Sequence, residues 1–314
     1  MKKVFCVGEL LIDFVAEKQG SDLSKAKLFT KKAGGAPANV ACAISKLGGN
    51  GFFIGCVGND PFGNFLAEIL VDINVDISLL QRSNIFTTLA FVSIAEDGER
   101  DFVFSRGADK ELSYDLSVKK LIENNMLHLG AATSFLGGSL ENTYTRYFFD
   151  ALTHNAFISF DPNYRGDLWK DNNDTFIKKC TPFIEKAHLC KFSAEEAQLI
   201  SGKNDLNAAC DYLHELGTRI ITITLGGEGT LLSTKNGKQI IPSIKVTPID
   251  TTGAGDAFIG CLLYQISKLE NLNSIYENNT LLVDMVKFAN KAGAITTTNY
   301  GAIESLPTIK QLQN

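Results

Sequence analysis

The residues with the clearest chemical potential lie in one turn, Asp-Thr-Thr-Gly-Ala-Gly-Asp at positions 250–256. Gly253 and Gly255 let the backbone present successive N–H groups, and the helix predicted to follow adds the partial positive charge of its amino end. These features predict an anion site formed by Gly253, Ala254 and Gly255. Asp256 beside it could cap the helix or act as a general base that takes a proton from an attacking hydroxyl. Because charge alone disfavours a carboxylate next to an anion site, we favour the base.

Two other segments could recognise a small polar ligand. Gly34 and Gly35 precede a predicted helix and permit close approach, although such a pair also occurs in plain turns. Asn39, in the first turn of that helix, offers both a donor and an acceptor. Asp13 is a single acid within an apolar strand pattern, so it either faces a ligand or marks a strand end at the surface.

Polar residues also follow the strand predicted over 156–160, in the sequence Asp161-Pro-Asn-Tyr-Arg165. In open α/β sheets, residues at the carboxyl ends of parallel strands line the ligand crevice. Arg165 could therefore meet a phosphate or a substrate oxygen, or it could form a surface salt bridge.

Short apolar runs alternate with helical patterns along the chain, and this order predicts an α/β fold with a parallel sheet covered on both faces. The predicted strands are 4–8, 52–57, 126–129, 156–160, 188–192 and 219–225, and the predicted helices are 37–47, 63–72, 139–152, 173–184, 194–201 and 205–216. Gly8, Glu9 and Asp13 interrupt the first apolar run, so we interpret residues 4–15 as a buried strand and not as a signal peptide.

Two segments carry hairpin patterns. Residues 84–104 form two β-rich runs around Asp97-Gly98, which is a strong turn signal. This hairpin could be an ornament at a sheet edge or part of a small sheet that covers a ligand site. The second hairpin joins 230–234 to 239–241 through Asn236-Gly237 and is interpreted as structural.

Composition narrows the function further. The 30 Lys and Arg residues against 35 Asp and Glu residues give a net charge of −5, which argues against nucleic acid as a partner. P-loop, HExxH, GxSxG and protein-kinase motifs are absent, and no GxGxxG follows the first strand. No apolar stretch approaches the length of a membrane span. Seven scattered cysteines predict buried thiols in a reducing, cytoplasmic compartment, and Trp169 and the four histidines are interpreted as packing residues.

Two of these motifs resemble the signatures of the ribokinase-like (PfkB) carbohydrate kinases, namely Gly34-Gly-x-x-x-Asn39 and Asp250-Thr-Thr-Gly-Ala-Gly-Asp256. The resemblance covers nearly the whole chain. Within the family it is strongest to fructokinases, through Gly8-Glu-Leu-Leu-Ile-Asp13, Asp97-Gly-Glu-Arg-Asp-Phe102, Asp161-Pro-Asn163 with Arg165, Leu168-Trp169, and Thr296-Thr-Thr298 before Gly301-Ala302.

This resemblance implies one kinase domain over residues 1–314, a three-layer αβα sandwich with a mainly parallel central sheet. It also implies a small β lid built from segments near 10–32 and 84–106. Because a second subunit could cover the exposed edges of the lid hairpin, we expect a homodimer through the lid. The implied reaction is MgATP-dependent phosphorylation of a sugar, with Asp256 as the base. The implied sugar site comprises Asp13, Gly34, Gly35, Asn39, Arg106, Asn163 and Arg165. The implied ATP site comprises Lys191, Glu196, Thr224, Gly226, Gly229 and Asn290. The resemblance also implies a site for a monovalent cation (K⁺), which comprises Asp250, Thr252, Thr296, Asn299, Gly301 and Ser305.

The sequence also departs from the family pattern. The Asn-x-x-Glu motif associated with magnesium and phosphate is Ser193-Ala-Glu-Glu196, a form similar to that of fructokinases. Residues 130–138 offer no match to the acid with which ribokinases bind the far side of the sugar, which disfavours ribose. Arg106 and Arg165 could instead clamp the carboxylate of 2-keto-3-deoxygluconate, which keeps a sugar-acid kinase as the alternative. A non-catalytic sugar or nucleotide sensor on the same fold is the alternative of a different class.

Overall fold

The computed structural model describes residues 1–17, 20, 22–94 and 100–313, and it describes the backbone alone at 94, 100 and 101. The strands within these residues are β1 (Lys3–Val7), β2 (Leu11–Ala16), β3 (Phe29–Gly34), β4 (Asn50–Gly58), β5 (Leu80–Ser83), β6 (Leu89–Ile94), β7 (Arg100–Ser105), β8 (Met126–Gly130), β9 (Phe157–Asp161), β10 (Leu189–Ser193), β11 (Ile220–Thr224), β12 (Thr230–Thr234) and β13 (Gly237–Ile241). All the predicted strands are present, with ends shifted by one or two residues.

The large sheet has the strand order β13-β12-β11-β10-β9-β8-β1-β4-β5. The neighbouring strands from β11 through β10, β9, β8, β1 and β4 to β5 all pair in parallel. Strands β12 and β13 add an antiparallel hairpin at one edge. Parallel neighbours need crossover connections, and the helices between the strands supply them. The predicted hairpin with Asn236-Gly237 is therefore confirmed as an edge element.

Helices cover both faces of this sheet. They are α1 (Ala36–Lys46), α2 (Pro61–Asp72), α3 (Val118–Ile122), α4 (Ser139–Thr153), α5 (Gly166–Trp169), α6 (Asn173–Lys186), α7 (Ala194–Ser201), α8 (Leu206–Leu216), α9 (Ala254–Ser267), α10 (Ser274–Glu277), α11 (Asn279–Thr296), α12 (Ala302–Ser305) and α13 (Ile309–Gln313). Within β1, Val4 and Cys6 pack into the cluster with α1, α9 and α11, whereas Phe5 and Val7 pack into the cluster with α4, α6 and α8. This alternation confirms the predicted three-layer α/β fold.

The amino-terminal run differs from the prediction of one buried strand over 4–15. Gly8, with φ of +150°, ends β1, and the chain then leaves the large sheet and starts β2 in a second sheet. A side chain at Gly8 would place its Cβ 2.5 Å from Cγ of Pro37, so the turn leaves no room for one. The split matters for function because Asp13 belongs to the second sheet and not to the core of the first.

The second sheet has the order β3-β2-β6-β7 and is the small sheet for which the hairpin at 84–104 was a candidate. Strands β6 and β7 pair antiparallel as predicted, while Asp97 and Gly98, the expected turn, lie outside the described residues. Two excursions of the chain, residues 11–34 and 89–105, build this sheet, and parallel pairing of β2 with β6 joins them. The small sheet is therefore confirmed as a separate layer and not as an edge ornament of the large one.

The remaining structural expectations are mostly met. The seven cysteines are buried and free, and Trp169 is buried against Phe176. None of the described helices is long and apolar enough to cross a membrane. The β-rich pattern of 240–249 was misleading, since β13 ends at Ile241 and residues 242–250 run as an irregular segment along a cavity.

Candidate active site

The anion turn lies where α9 begins. Gly253 is the N-cap of α9 in the left-handed conformation, with φ of +78°, and a Cβ there would lie 2.6 Å from Cβ of Ala302. The N–H of Ala254 is directed to the carbonyl of Thr251 at 3.3 Å. The N–H groups of Gly253, Gly255 and Asp256 have no acceptor in the described part of the chain. The open donors are thus shifted from the predicted 253–255 set, because Ala254 is partly satisfied and Asp256 contributes its own amide.

Asp256 is the third residue of α9, and its side chain makes no cap hydrogen bond, so the N-cap alternative is wrong. Only 8% of the residue is exposed. Its Oδ2 accepts a hydrogen bond of 2.8 Å from Nδ2 of Asn39. Burial raises the pKa of Asp256 above its ordinary value, while the bond from Asn39 and the charges of Lys191 and Arg165 oppose that rise. A partly desolvated carboxylate with a higher pKa is a stronger proton acceptor than an exposed one.

Close packing of α1 on α9 sets the distance between these two side chains. A Cβ at Gly260 would lie 2.6 Å from Cβ of Ala43, so the two helices approach at a position where only glycine fits. The start of α1 is fixed by Glu9, whose Oε1 accepts a 3.0 Å hydrogen bond from the N–H of Ala36. Asn39 therefore faces Asp256 from a rigid support, and its Oδ1 is buried without a partner among the described groups.

Asp13 lies on the face of the small sheet where Gly34 makes room for it. A Cβ at Gly34 would lie 2.0 Å from Oδ2 of Asp13. A Cβ at Gly35, which has φ of +114°, would lie 2.4 Å from the carbonyl oxygen of Glu9. Burial raises the pKa of Asp13 to about 6, and the charge of Arg165 opposes that rise. The two glycines therefore have a role beyond a plain turn, because they let a carboxylate and the first turn of α1 face one space.

A buried cluster of charges lies at the ends of β9 and β10. Nζ of Lys191 is 3.0 Å from Oδ2 of Asp161, and a Cβ at Gly255 would lie 3.0 Å from the same Nζ. The ammonium group thus lies beside the anion turn. Burial lowers the pKa of Lys191, but Asp161, Glu196 and Asp256 together raise it above its ordinary value, so Lys191 stays a cation.

Glu196 has a structural partner at each oxygen. Oε2 accepts the N–H of Ser193 at 2.7 Å, which completes a capping box at the start of α7, and Oε1 accepts the N–H of Tyr164 at 2.8 Å. Burial raises the pKa of Glu196, and the charge of Lys191 opposes that rise. Glu196 therefore anchors the loop after β9 as well as adding a carboxylate near Lys191.

That loop brings Asn163 and Arg165 to the site. Asn163 has the left-handed backbone conformation with φ of +47°, is 4% exposed, and donates its N–H to Oδ1 of Asp161 at 3.1 Å. Its side-chain amide has no hydrogen-bond partner among the described residues. Arg165 is exposed, yet its charge lowers the pKa values of four carboxyl groups, at Glu9, Asp13, Asp161 and Asp256. The positive charge of Arg165 therefore lies near carboxyl groups of both the small sheet and α9.

Arg106 is fully engaged within the protein. Its Nε lies 3.1 Å from Oδ2 of Asp109, and its two terminal nitrogens donate to the carbonyls of Leu136 at 2.7 Å and Thr133 at 3.2 Å. Asp109 is 1% exposed and also accepts the hydroxyl hydrogens of Thr88 and Thr133. This network ties the end of β7 to the segment after β8 and gives each of the three guanidinium nitrogens a partner within the protein.

A cavity of about 450 Å³ opens on the other side of the anion turn. Thr224, Gly226 and Gly229 form one wall, and Ala254 and Gly255 form its inner end. Asn290 lines the cavity, but Thr230 Oγ1 donates to its Oδ1 at 2.6 Å and its Nδ2 donates to the carbonyl of Ile241 at 2.8 Å. Asn290 therefore holds the wall in place. The cavity suits an elongated ligand with its anionic end at the turn.

The segments expected to hold a monovalent cation meet beside the same turn. Asp250 accepts the N–H of Thr252 and of Gly301, each at 2.9 Å. Burial raises the pKa of Asp250, but these bonds and the charge of Lys32 more than offset it and hold that pKa below its usual range. Thr296 and Ser305 are buried and donate their hydroxyls to the carbonyls of Ala292 and Tyr300, whereas Asn299 is exposed.

Three functional elements of this site were missed by the sequence reasoning. They are the Asp161–Lys191 ion pair, the Glu9–Ala36 bond and residues 243–248 of the cavity wall. The acids could have been found, because Asp161 ends a buried strand and Glu9 interrupts an apolar run. Residues 243–248 could not have been identified as part of a cavity wall, because their apolar pattern is also typical of a strand.

Comparison with known proteins identifies the chain's relatives. The sequence model of the pfkB family of carbohydrate kinases matches residues 1–309. Fructokinase-1 from Zea mays is 38% identical over 312 residues, which cover 97% of this chain and 94% of that protein. Among solved structures, the fructokinase with bound ATP from Xylella fastidiosa matches with a TM-score of 0.88 and 27% identity, covering 100% of this chain and 98% of that one. A fructokinase double mutant from Vibrio cholerae O395, bound to fructose, ADP and potassium ion, matches with a TM-score of 0.85 and 30% identity, covering 100% and 97%.

Proposed function

This chain belongs to the pfkB family of carbohydrate kinases, and from that membership we propose that it is an ATP-dependent fructokinase. It transfers the terminal phosphoryl group of ATP to the 6-hydroxyl of D-fructose and releases fructose 6-phosphate and ADP. The observation that carries the reaction type is the buried Asp256 carboxylate, bonded to Asn39 on one side and next to the open amides of the anion turn on the other. The fructokinases among its relatives support the choice of sugar.

Asp256 acts as the general base. Its carboxylate takes the proton of the sugar hydroxyl as the oxygen forms a bond to the terminal phosphorus, and the bond from that phosphorus to the bridging oxygen of ADP breaks. The hydrogen bond from Asn39 orients the carboxylate and limits the rise of its pKa. Asp256 is therefore positioned before the sugar arrives.

The anion turn and Lys191 stabilise the charge that moves during transfer. The N–H groups of Gly253, Gly255 and Asp256 are open at the amino end of α9, where the helix dipole also favours negative charge. Lys191, held by Asp161 at 3.0 Å, adds a full positive charge next to Gly255 of the turn. Donors fixed in this way require no rearrangement at the moment of transfer.

The sugar lies between the small sheet and the turn. Asp13 accepts hydrogen bonds from sugar hydroxyls, and Gly34 and Gly35 allow the ring to approach the backbone. The unpartnered Oδ1 of Asn39 and the free amide of Asn163 complete the contacts. We propose that the small sheet acts as a lid of a single kinase domain, and that its closure excludes water, so that the sugar and not water accepts the phosphoryl group.

The nucleotide lies in the 450 Å³ cavity with its phosphates at the turn. Among the described residues no group of three or more acidic, histidine or cysteine side chains is arranged to hold a metal ion. This fits Mg²⁺ that arrives on ATP, because Mg²⁺ commonly binds through substrate phosphates and one or two carboxylates, here Asp161 and Glu196. Bound there, Mg²⁺ would neutralise phosphate charge.

Potassium fits the segments around Asp250. The carboxylate of Asp250 and the carbonyl groups near Thr252, Thr296, Asn299, Gly301 and Ser305 form a set of hard oxygen ligands, which suits a monovalent cation. The bond of Asp250 to Gly301 links this set to the anion turn, since Gly253 packs on the adjacent Ala302. Activity in sodium and in potassium at equal ionic strength tests this role.

The sugar-acid alternative loses one of its two supports. It requires Arg106 and Arg165 to clamp a carboxylate, but all three nitrogens of Arg106 already contact Asp109, Thr133 and Leu136. A non-catalytic sensor would have no use for a buried carboxylate at Asp256. A coupled ADP-release assay across hexoses, pentoses and sugar acids, with Asp256→Asn as the blank, separates the three. Preference for 2-keto-3-deoxygluconate, or background release with every sugar, contradicts the proposal.

We also propose that the kinase is a cytoplasmic homodimer joined through the lid. Seven buried free thiols suit a reducing compartment. Strand β7 is an outer strand of the small sheet and carries Val103, which is 52% exposed, next to the partly exposed Phe102 and Phe104. A second lid can cover this edge. Sedimentation velocity is expected to give a dimer for the native chain and a monomer for Val103→Asp, and a monomeric native chain rejects the idea.

A further inference from the structure

A second cavity, of about 950 Å³, lies away from the anion turn, at the amino end of β11 and beside the turn that joins β12 to β13. Its walls are the end of α8 with the loop that follows, the turn between β12 and β13, and α10. Ile220 at one end of β11 lines this cavity, and Thr224 at the other end lines the 450 Å³ cavity. Along β12, Thr234 at one end lines the 950 Å³ cavity, and Thr230 at the other end lines the 450 Å³ cavity. The two cavities thus occupy opposite ends of the same two strands and share no residue.

The charge of this second cavity is opposite to that of the whole protein. Its lining contains the basic side chains of Arg219, Lys235 and Lys238 and one acid, Asp211, in a chain of net charge −5. Lys238 pairs with Asp211. Within the described part of the chain, neither Arg219 nor Lys235 has an acidic partner. Two unneutralised cations therefore face one concave space, which attracts an anion.

Tyr276 adds an unsatisfied donor. The guanidinium carbon of Arg219 lies 5.0 Å from the centre of the Tyr276 ring, which holds the arginine against the cavity wall. The hydroxyl of Tyr276 is buried, and no described group accepts its hydrogen, although the guanidinium of Arg219 lies close enough to interact with its oxygen. Burial raises the pKa of Tyr276 to about 12 even though the charge and hydrogen bond of Arg219 oppose that rise, so the hydroxyl stays protonated and can donate. A buried donor without an acceptor is costly unless a ligand supplies one.

We propose that this cavity binds a small phosphorylated metabolite, whose phosphate accepts hydrogen bonds from Arg219, Lys235 and the hydroxyl of Tyr276. Arginine with its fork of donors suits a phosphate better than a simple halide. The volume of the cavity leaves room for the organic part beside Ile220 and Ile275. Both a sugar phosphate and a nucleotide offer this phosphate group. The proposal does not depend on the identity of the kinase substrate.

Fluorine NMR of the full chain labelled with 3-fluorotyrosine tests the proposal at the cavity itself. The chain has eight tyrosines, and Tyr276→Phe assigns the resonance of interest. Inorganic phosphate, fructose 6-phosphate and AMP are titrated separately, with chloride holding the ionic strength constant. We expect a saturable shift of the Tyr276 resonance, and an affinity about tenfold lower or worse in Arg219→Ala and in Lys235→Ala.

The matched control is Arg146→Ala, which removes another arginine stacked on a tyrosine, Tyr114, outside the cavity. It is expected to leave the Tyr276 titration unchanged. Tighter binding of fructose 6-phosphate than of AMP assigns the site to sugar phosphates, and the reverse assigns it to nucleotides. A shift that never saturates, or that chloride reproduces, means an adventitious ion only and overturns the proposal. Unchanged affinity in both folded variants, checked by thermal unfolding, overturns it too.

Discussion

Asn39 and Asp256, which are 217 positions apart in the chain, are joined by a hydrogen bond of 2.8 Å between Nδ2 and Oδ2. The bond connects the first turns of α1 and α9. In the proposed reaction, this pair joins the amide that contacts the sugar to the carboxylate that takes the proton. The first two predictions concern this pair.

Replacing the carboxylate of Asp256 by an amide should abolish the base without changing the shape of the site. We expect Asp256→Asn to bind ATP normally and to lose turnover by about 10²- to 10⁴-fold. Coupled ADP release and nucleotide calorimetry measure the two quantities. Asp205→Asn, which changes an exposed acid at the start of α8, is the control and should retain full turnover. Turnover near the native rate in Asp256→Asn would remove Asp256 from the reaction.

Removing the amide should change the pH dependence of turnover. The hydrogen bond from Asn39 opposes the burial that raises the pKa of Asp256, so its loss in Asn39→Ala raises that pKa further. A base with a higher pKa is protonated over more of the acid range, so the acid limb of kcat against pH should move to higher pH. Kinetics from pH 5 to 9 measure the shift, with exposed Asn59→Ala as the control. An acid limb that stays in place contradicts a role for Asn39 in tuning the base.

Gly260 determines how closely α1 and α9 pack. A methyl group in Gly260→Ala would lie 2.6 Å from Cβ of Ala43 and must push the helices apart. Overpacking of this kind costs about 1–3 kcal/mol, against about 1 kcal/mol gained in helix propensity. We expect lower kcat through a lengthened Asn39–Asp256 contact, and recovery of kcat in the double variant with Ala43→Gly. If the double variant recovers nothing, the contact with Ala43 is not the cause.

Arg106→Ala distinguishes a structural arginine from one that binds substrate. Because the guanidinium neutralises the buried Asp109, its removal should lower the free energy of unfolding by about 3 kcal/mol, measured with urea. Lys119→Ala, which breaks the longer and more exposed pair with Asp150 at 3.7 Å, should cost less than about 1 kcal/mol. A variant of native stability that lost only affinity for sugar would place Arg106 on the substrate instead.

Glu9 should make the protein less stable as the pH rises. Burial raises the pKa of Glu9 to about 7 from the ordinary 4.5, so between these values the folded state binds more protons than the unfolded state. Stability is then complete below pH 4.5 and falls by about 3 kcal/mol by pH 7 and above. Urea unfolding at pH 5 and pH 8 should show this loss in the native chain and a smaller one in Glu9→Gln. Equal losses would mean that Glu9 is not protonated in the folded protein.

The sequence predicts most of the fold because its strongest patterns are local. Runs such as 188–192 and 219–225 are apolar on both faces and flanked by helices, which leaves few alternatives to a parallel sheet. The error over 4–15 arose because an apolar pattern does not tell which sheet a strand joins. The turn of β1 at Gly8 depends on Pro37, which is distant in sequence. The strand pattern at 242–249 was misleading for a related reason, because residues that line a cavity can be as apolar as those in a strand.

The site was harder to predict than the fold. The sequence marked the anion turn, the glycine pair and Asp13 as candidates, because glycines and isolated acids leave local signals, and the resemblance to PfkB kinases implied that they share one site. It could not show that Arg106 is occupied by Asp109, Thr133 and Leu136. It also could not show that Asn290 serves the wall of the cavity. Such facts depend on which groups meet in space, and one chain's spacing does not contain them.

The construction of the small sheet from two separate excursions affects how the chain folds. Neither the β2–β3 hairpin nor the β6–β7 hairpin is expected to be stable alone, since isolated two-stranded hairpins are marginal in water. They pair through β2 and β6 only when β1, β4 and β5 have already brought residues 11 and 89 close together. The small sheet should therefore form only after these neighbouring strands of the large sheet have paired, and the walls of the 450 Å³ cavity, which lie within residues 224–297, are synthesised later still.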